Sequence, residues 1–207
     1  MRTLWYVLLI VGLLIVGVAG YEILFAPNMS IKKPAIYLYP EQTTTVSVRV
    51  RTDGTLTNTL PPYGSGWDVI ATPESIIDGQ YEYLFYEADL QTVDIPENGW
   101  VVSNAELSNW FDTNLPLLGL NLKEIAQFKE YWLSELPAAS YYDIRLLDQQ
   151  FLEQHLALDI LPQPQTLIRV ELAFKSINTP YKLQTPLIVT PERNGFTVVE
   201  WGGLVIH

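Results

Sequence analysis

Two glutamates stand where carboxylate chemistry could begin. In Tyr83-Leu84-Phe85-Tyr86-Glu87, strand alternation puts Glu87 on the face of Tyr83 and Phe85; in Phe196-Thr197-Val198-Val199-Glu200 it puts Glu200 on the face of Phe196 and Val198. If those faces point to a core, each carboxylate enters a partly desolvated site, where its pKa rises unless an arginine or backbone donors compensate. Paired carboxylates of unequal pKa are what glycoside hydrolysis needs. The plainer alternative is that each closes an ion pair with Arg145 or Arg169, or accepts from a backbone amide. Other catalytic sets are sparse. The chain has no cysteine and two histidines, His155 and His207, so a serine triad would have to be built on His155. In Gln154-His155-Leu156-Ala157-Leu158 that residue reads as a half-exposed structural histidine on a strand beside a loop. No Gly-rich phosphate loop, His-x-x-x-His pair or EF-hand loop is present.

Recognition chemistry has more candidates. Tyr63 and Trp67 flank a Pro-Pro-Tyr-Gly-Ser-Gly-Trp turn, Trp100 follows Glu97-Asn98-Gly99, Tyr141-Tyr142 form a pair, and Trp201 precedes Gly202-Gly203. Rings carried on loops stack on sugar faces and also anchor protein interfaces, which makes Tyr63, Trp67, Trp100 and Trp201 the candidate ligand-binding residues. Glu87-Ala88-Asp89, Asp94 and Glu97-Asn98 form an acidic loop whose oxygens could take calcium. Its spacing matches no known calcium loop, so a solvated acidic loop with no cofactor is the expectation.

The elements that carry these residues begin at the N-terminus with an apolar run from Leu4 to Gly20, extended by Ile23-Leu24-Phe25-Ala26. At 1.5 Å per residue it is long enough to cross a bilayer as a helix. It is longer than the usual signal-peptide core and does not break at Gly20, which favours an uncleaved anchor over a cleaved signal. Arg2 and the amino terminus argue for a cytoplasmic start, and Lys32 and Lys33 argue mildly against it. Long domains translocate largely regardless of charge, so the expectation is a single-pass membrane protein with its bulk outside. Residues 27–33 read as a linker and 34–207 as one extracytoplasmic domain.

Without Arg2, Lys32, Lys33 and Glu22, the chain's 12 basic and 23 acidic residues leave nine and 22 in that domain, a formal charge of −13. Such a surface repels phosphate backbones, which excludes nucleic acid as the expected partner. Thr45–Arg51 alternates valine with polar residues, and Asp53-Gly54 signals a tight turn into a strand over Thr55–Leu60. Trp67–Ala71 and Tyr81–Glu87 are further expected strands. The period then becomes helical over Asn104–Asn114 and over about 122–136, where Asn121 and Glu124 are spaced as a capping box. Strands return at Ile168–Lys175, Leu187–Val189, Phe196–Trp201 and Leu204–Ile206. The fold class expected is α+β: a β-rich domain with two central helices, behind one N-terminal transmembrane helix.

Lys33-Pro34-Ala35-Ile36-Tyr37-Leu38-Tyr39-Pro40, Tyr83-Leu84-Phe85-Tyr86-Glu87 and Gly195-Phe196-Thr197-Val198-Val199-Glu200-Trp201-Gly202-Gly203 resemble the markers of a family of uncharacterised bacterial and fungal exported or surface proteins. Its members share a similar lysine-proline-x-isoleucine-tyrosine-leucine-tyrosine-proline opening and a similar glutamate-tryptophan-glycine-glycine close. The resemblance covers essentially all of 33–207, with Tyr86 standing where tryptophan is common. It implies one intact exported domain, transfers no mechanism, and points again to Glu87, Glu200 and Trp201.

Three functional readings follow. A membrane-attached binding module for envelope polysaccharide or a surface protein uses the anchor and the loop aromatics. A structural or assembly subunit of an envelope complex would show an exposed apolar patch or pack through the glycines of its apolar helix. A glycan hydrolase would need Glu87 and Glu200 to meet across a cleft.

Overall fold

The computed structural model describes residues 29–90 and 94–206. The expected anchor lies outside the described residues; among these, no helix is long and apolar enough to cross a membrane. The strands are β1 (Met29–Tyr39), β2 (Thr44–Thr52), β3 (Thr55–Leu60), β4 (Trp67–Ala71), β5 (Leu84–Leu90), β6 (Trp100–Ser103), β7 (Tyr141–Leu146), β8 (Leu156–Leu161), β9 (Thr166–Ile177) and β10 (Thr197–Ile206). The helices are α1 (Leu107–Asn114), α2 (Leu122–Glu135) and α3 (Gln149–His155), with a 3-10 turn over Asn104–Glu106. The described fold is thus a β-rich α+β fold of ten strands and three α-helices.

Seven strands form one sheet in the order β3-β5-β1-β10-β9-β7-β6, and three form another, β4-β2-β8. β9 and β10 run parallel; the other neighbours are antiparallel. The valine face of β2 (Val46, Val48, Val50) packs on Ile36, Leu38, Leu84 and Val198 of the large sheet, and Phe151 and Leu152 of α3 join that core. The opposite face of the large sheet, with Tyr37, Val170, Phe174 and Trp201, is covered by Phe111 of α1 and by Phe128 and Trp132 of α2. The molecule is therefore small sheet, large sheet, helices. α2 starts where its capping box stands: Asn121 Oδ1 accepts from the Glu124 N–H at 3.0 Å, and Glu124 Oε2 accepts from the Asn121 N–H at 2.7 Å.

Several expectations are corrected by long-range pairing. The linker read over 27–33 is strand from Met29 onward: Ile31 is fully buried and sits opposite Leu204 of β10 and Ala88 of β5. A bulge between Lys32 and Ala35 interrupts the register, with Lys33 at φ 60. There the Lys33 ammonium donates to the Tyr83 hydroxyl at 2.8 Å and lies 4.8 Å from the centre of the Phe85 ring. Asp53-Gly54 makes no hairpin, because β2 and β3 belong to different sheets. His155 ends a third helix that was not expected, and its Nδ1 lies 2.7 Å from Asp53 Oδ2. That helix is capped by Asp148, which accepts from the Phe151 N–H at 2.8 Å. Leu187–Val189 is not a strand but part of an irregular strap, 178–196, joining parallel β9 to β10. Finally, β10 runs without a break through Gly202-Gly203.

The early start of β1 has a measurable consequence. A chain beginning at residue 34 should be less stable than one beginning at residue 28 by at least the cost of emptying a buried isoleucine site, about 2–5 kcal/mol. Equal urea midpoints for the two would contradict the packing of Met29–Lys33 described above.

Candidate functional site

Of the four aromatics expected at a binding surface, two are core. Trp201 is fully buried between α2 and the large sheet, and Trp67 is buried under the small sheet with its indole N–H donating to Pro61 O at 2.9 Å. Tyr63 is half-buried against Trp67, and its hydroxyl is committed to backbone: it accepts from the Val50 N–H at 2.8 Å and donates to Val50 O at 3.3 Å. It stands in for a strand neighbour that β2 lacks beyond the end of β4. Trp100 alone among the four opens onto a cleft of some size with a second tryptophan beside it.

The two glutamates do not meet. Tyr86 and Glu87 are consecutive on β5 and so project to opposite faces of the large sheet. The Tyr86 hydroxyl donates to Glu200 Oε1 at 2.8 Å, which places Glu200 on the face away from Glu87. Glu200 is fully buried and takes the Arg169 Nε at 2.5 Å, while Arg169 Nη2 donates to Leu156 O at 2.6 Å. Glu87 pairs instead with Lys32 at 3.4 Å. The expected arginine pairing therefore holds for Glu200, through Arg169, while Glu87 takes a lysine that was not among the expected partners, and the two-carboxylate arrangement a glycosidase needs is not formed by them.

Glu171, which the sequence reading passed over, lies buried beside this pair with neither carboxyl oxygen hydrogen-bonded. Burial above all, then the charge of Glu200, pushes its carboxyl well above the usual range, against the opposing pull of Arg169. A Cβ at position 202 would sit 2.8 Å from its Oε2 and 2.8 Å from Pro34 N, so only glycine fits there. The acidic loop proposed for calcium is also redistributed: Glu87 and Asp89 are on β5, and Ser30 donates to Asp89. Among the described residues no three acidic, histidine or cysteine side chains are placed to hold a metal ion.

The cleft at Trp100 is built from a buried charge outward. Asp143 on β7 is 5% exposed and receives Arg145 Nη2 at 2.9 Å and Nε beside it, and the Tyr181 hydroxyl donates to the same carboxylate. Arg145 Nη1 in turn donates to Pro96 O at 2.9 Å and to Glu97 O, which fixes the loop leading into β6. Gly99 passes so close that a Cβ would lie 2.4 Å from Ile144 O, and its N–H donates to Gln184 O of the strap at 2.9 Å. The result is a cleft of about 480 Å³ between β6, α1 and the strap. Its rings are Trp100 and Trp110, edge to face with centroids 5.1 Å apart, and Tyr181; Glu106, Asn109 and Lys182 supply polar groups. The hydrogen bond to Asp143, more than burial, lifts the Tyr181 phenol above its ordinary range and keeps it a neutral donor. Trp110 was missed as a site residue because it falls on the apolar stripe of α1, and Tyr181 because nothing local marks a strap.

Comparison of the chain with protein-family models, with curated proteins and with solved structures gives no match. The site rests on its own geometry.

Two predictions follow from these placements. Tyr63→Phe leaves a buried strand N–H and C=O without their shared partner and should cost about 1–3 kcal/mol, read by urea unfolding; an unchanged midpoint would remove the strand-substitute role. For Glu171, a folded-state pKa above the unfolded value means that the folded protein holds the extra proton, so this group's contribution to stability falls as pH rises above the unfolded carboxylate range. Between pH 5 and pH 8 the native protein should therefore lose stability relative to Glu171→Gln. Parallel pH profiles would show the carboxyl to be ionised in the fold.

Proposed function

We propose that this chain is a membrane-anchored, extracytoplasmic recognition module that binds envelope glycan in the Trp100–Trp110–Tyr181 cleft. The observation that carries the reading is the pair of half-buried indoles held edge to face on β6 and α1, beside carboxylate and amide groups and the ammonium of the strap's Lys182. A sugar ring offers an apolar C–H face and a rim of hydroxyls; indole faces take the first and Glu106, Asn109 and Lys182 the second. The Asp143–Arg145 pair supports this use by pre-ordering both the entry loop and the strap, which lowers the entropy lost on binding. The acidic surface favours neutral or cationic glycans over polyanions. The apolar run from Leu4 to Gly20, extended by Ile23-Leu24-Phe25-Ala26, supports attachment of the module to a membrane.

An assembly role in an envelope complex is the second reading, and one observation favours it: Leu187 and Val189 of the strap are 94% and 80% exposed. The two separate experimentally. The full-length protein in detergent should be retained by purified cell-envelope material, and Trp100→Ala or Trp110→Ala should weaken retention about tenfold while each variant still unfolds cooperatively, as expected for a central aromatic anchor. Retention that both folded variants keep would remove the glycan reading; a Leu187→Asp variant that no longer co-purifies with partner proteins would establish the assembly role.

A further inference from the structure

A second cleft, of about 670 Å³, opens beside β8 at the end of the small sheet. Its floor is Leu167 and Arg169 of β9, its end is Leu152 and Gln149 of α3, and one wall is Leu158 of β8 itself. The wall matters most. Leu156 gives its N–H to Leu152 O and its C=O to Arg169 Nη2, so its polar backbone groups face away from β2. Two residues along, Leu158 sits opposite Val50. The Val50 N–H and C=O are both engaged by the Tyr63 hydroxyl on the far side of β2, so Val50 and Leu158 exchange no ladder bonds. Alternation then turns the N–H and C=O of Leu158 and of Ile160 outward, on an edge that has no further strand among the described residues.

Arg169 adds a second, independent observation. Its side chain is 10% exposed and lines the cleft; Nε is spent on Glu200 and Nη2 on Leu156 O, and among the described residues Nη1 has no partner. We propose that an extended peptide segment docks here as a fourth strand of the small sheet. Its main chain pairs with Leu158 and Ile160, an apolar side chain rests on Leu152 and Leu167, and a carboxylate or carbonyl oxygen takes Arg169 Nη1. Only a peptide main chain offers acceptors and donors at the two-residue repeat this edge presents. An alkyl chain would fill the apolar floor and leave the edge unpaired. The charged groups lining the cleft, Arg51 and Arg169 against Asp148 and Glu153, balance, so no net field draws in a bare anion. A basic residue flanking the apolar one suits those carboxylates.

The test is amide hydrogen exchange on the full-length protein in detergent, with a pool of hexapeptides alternating apolar and hydroxyl-bearing residues, each with a free or an amidated C-terminus. Exchange at Leu158 and Ile160 should slow about tenfold when the edge is paired. Leu158→Pro removes a donor that β2 does not use, so it should still unfold cooperatively and lose the slowing at Ile160; Leu167→Glu, which charges the floor, should lose it at both amides. Slowing by the free acids alone assigns Arg169 a terminal carboxylate, and slowing by both forms assigns it an internal carbonyl. Unchanged exchange at both amides with millimolar pool overturns the proposal. So does slowing that depends on protein concentration without peptide, because the edge would then pair with a second copy.

Discussion

The ion pair between Arg169 and Glu200 is the contact on which the arrangement of the two sheets depends. At 2.5 Å, with exposures of 10% and 0%, it lies where desolvation rivals the Coulomb attraction, so it persists only if the remaining polar groups are satisfied. The neighbours supply this: Tyr86 on β5 donates to the second Glu200 oxygen, and Leu156 at the start of β8 accepts from Arg169. Four strands, three from the large sheet and one from the small, therefore meet on one guanidinium–carboxylate unit. A neutral Glu171 leaves the unit without net charge; an ionised one would leave an uncompensated negative charge in the same pocket. Non-directional packing of valine and leucine could tolerate a shifted β8, whereas this unit specifies one position.

The same unit draws together the three sequence segments 33–40, 83–87 and 195–203. Ile36 lies opposite Glu200 on one side and Leu84 on the other, so the opening, middle and closing segments are the neighbouring strands β1, β5 and β10. One face of these strands carries the polar unit. The other carries Tyr37 and Trp201, the latter 5.4 Å from Phe128, in the aromatic core beneath α2. Every one of these residues has a packing reason to be what it is. Chemistry toward a ligand must be sought where side chains leave the core, at the β6–α1 edge and beside β8.

Legibility followed range. The capping box of α2 is readable because both of its bonds close within three residues, and β2 because its valines alternate over seven positions. The start of β1 is hidden because Met29–Lys33 interrupts its own pattern with a bulge, and its strand partners are 57 to 173 positions away. Asp53-Gly54 obeys local turn chemistry and still leads into another sheet, since the destination is set by Asp89 and Ala88 opposite Thr55 and Leu56. Exposed rings cannot be told from buried ones in Gly-rich segments, which is why Trp67 and Trp201 resemble ligand contacts as strongly as Trp100 does. A charge on the core face of a strand was legible, and so was its partner arginine; the unpaired Glu171 was not, because Arg169-Val170-Glu171 alternates as an ordinary half-exposed strand would.

Edges show how economically the chain treats unpaired backbone. Where β2 outruns β4, the Tyr63 hydroxyl covers both polar groups of Val50; where β6 begins, Gln184 of the strap takes the Gly99 N–H; where β8 begins, α3 and Arg169 take both groups of Leu156. Apart from the Leu152 carbonyl, which is only four residues from Leu156, each cover comes from at least 13 positions away, at a cost in ordering entropy that an open, solvated edge would avoid. Against that habit, the outward groups of Leu158 face a cleft with an apolar floor and an arginine nitrogen that has no partner among the described residues, and those of Ile160 continue the same edge. A sheet edge left open beside matched side-chain space is the form a strand-accepting surface takes, whereas an edge meant only to stay monomeric would carry lysine or proline at these positions.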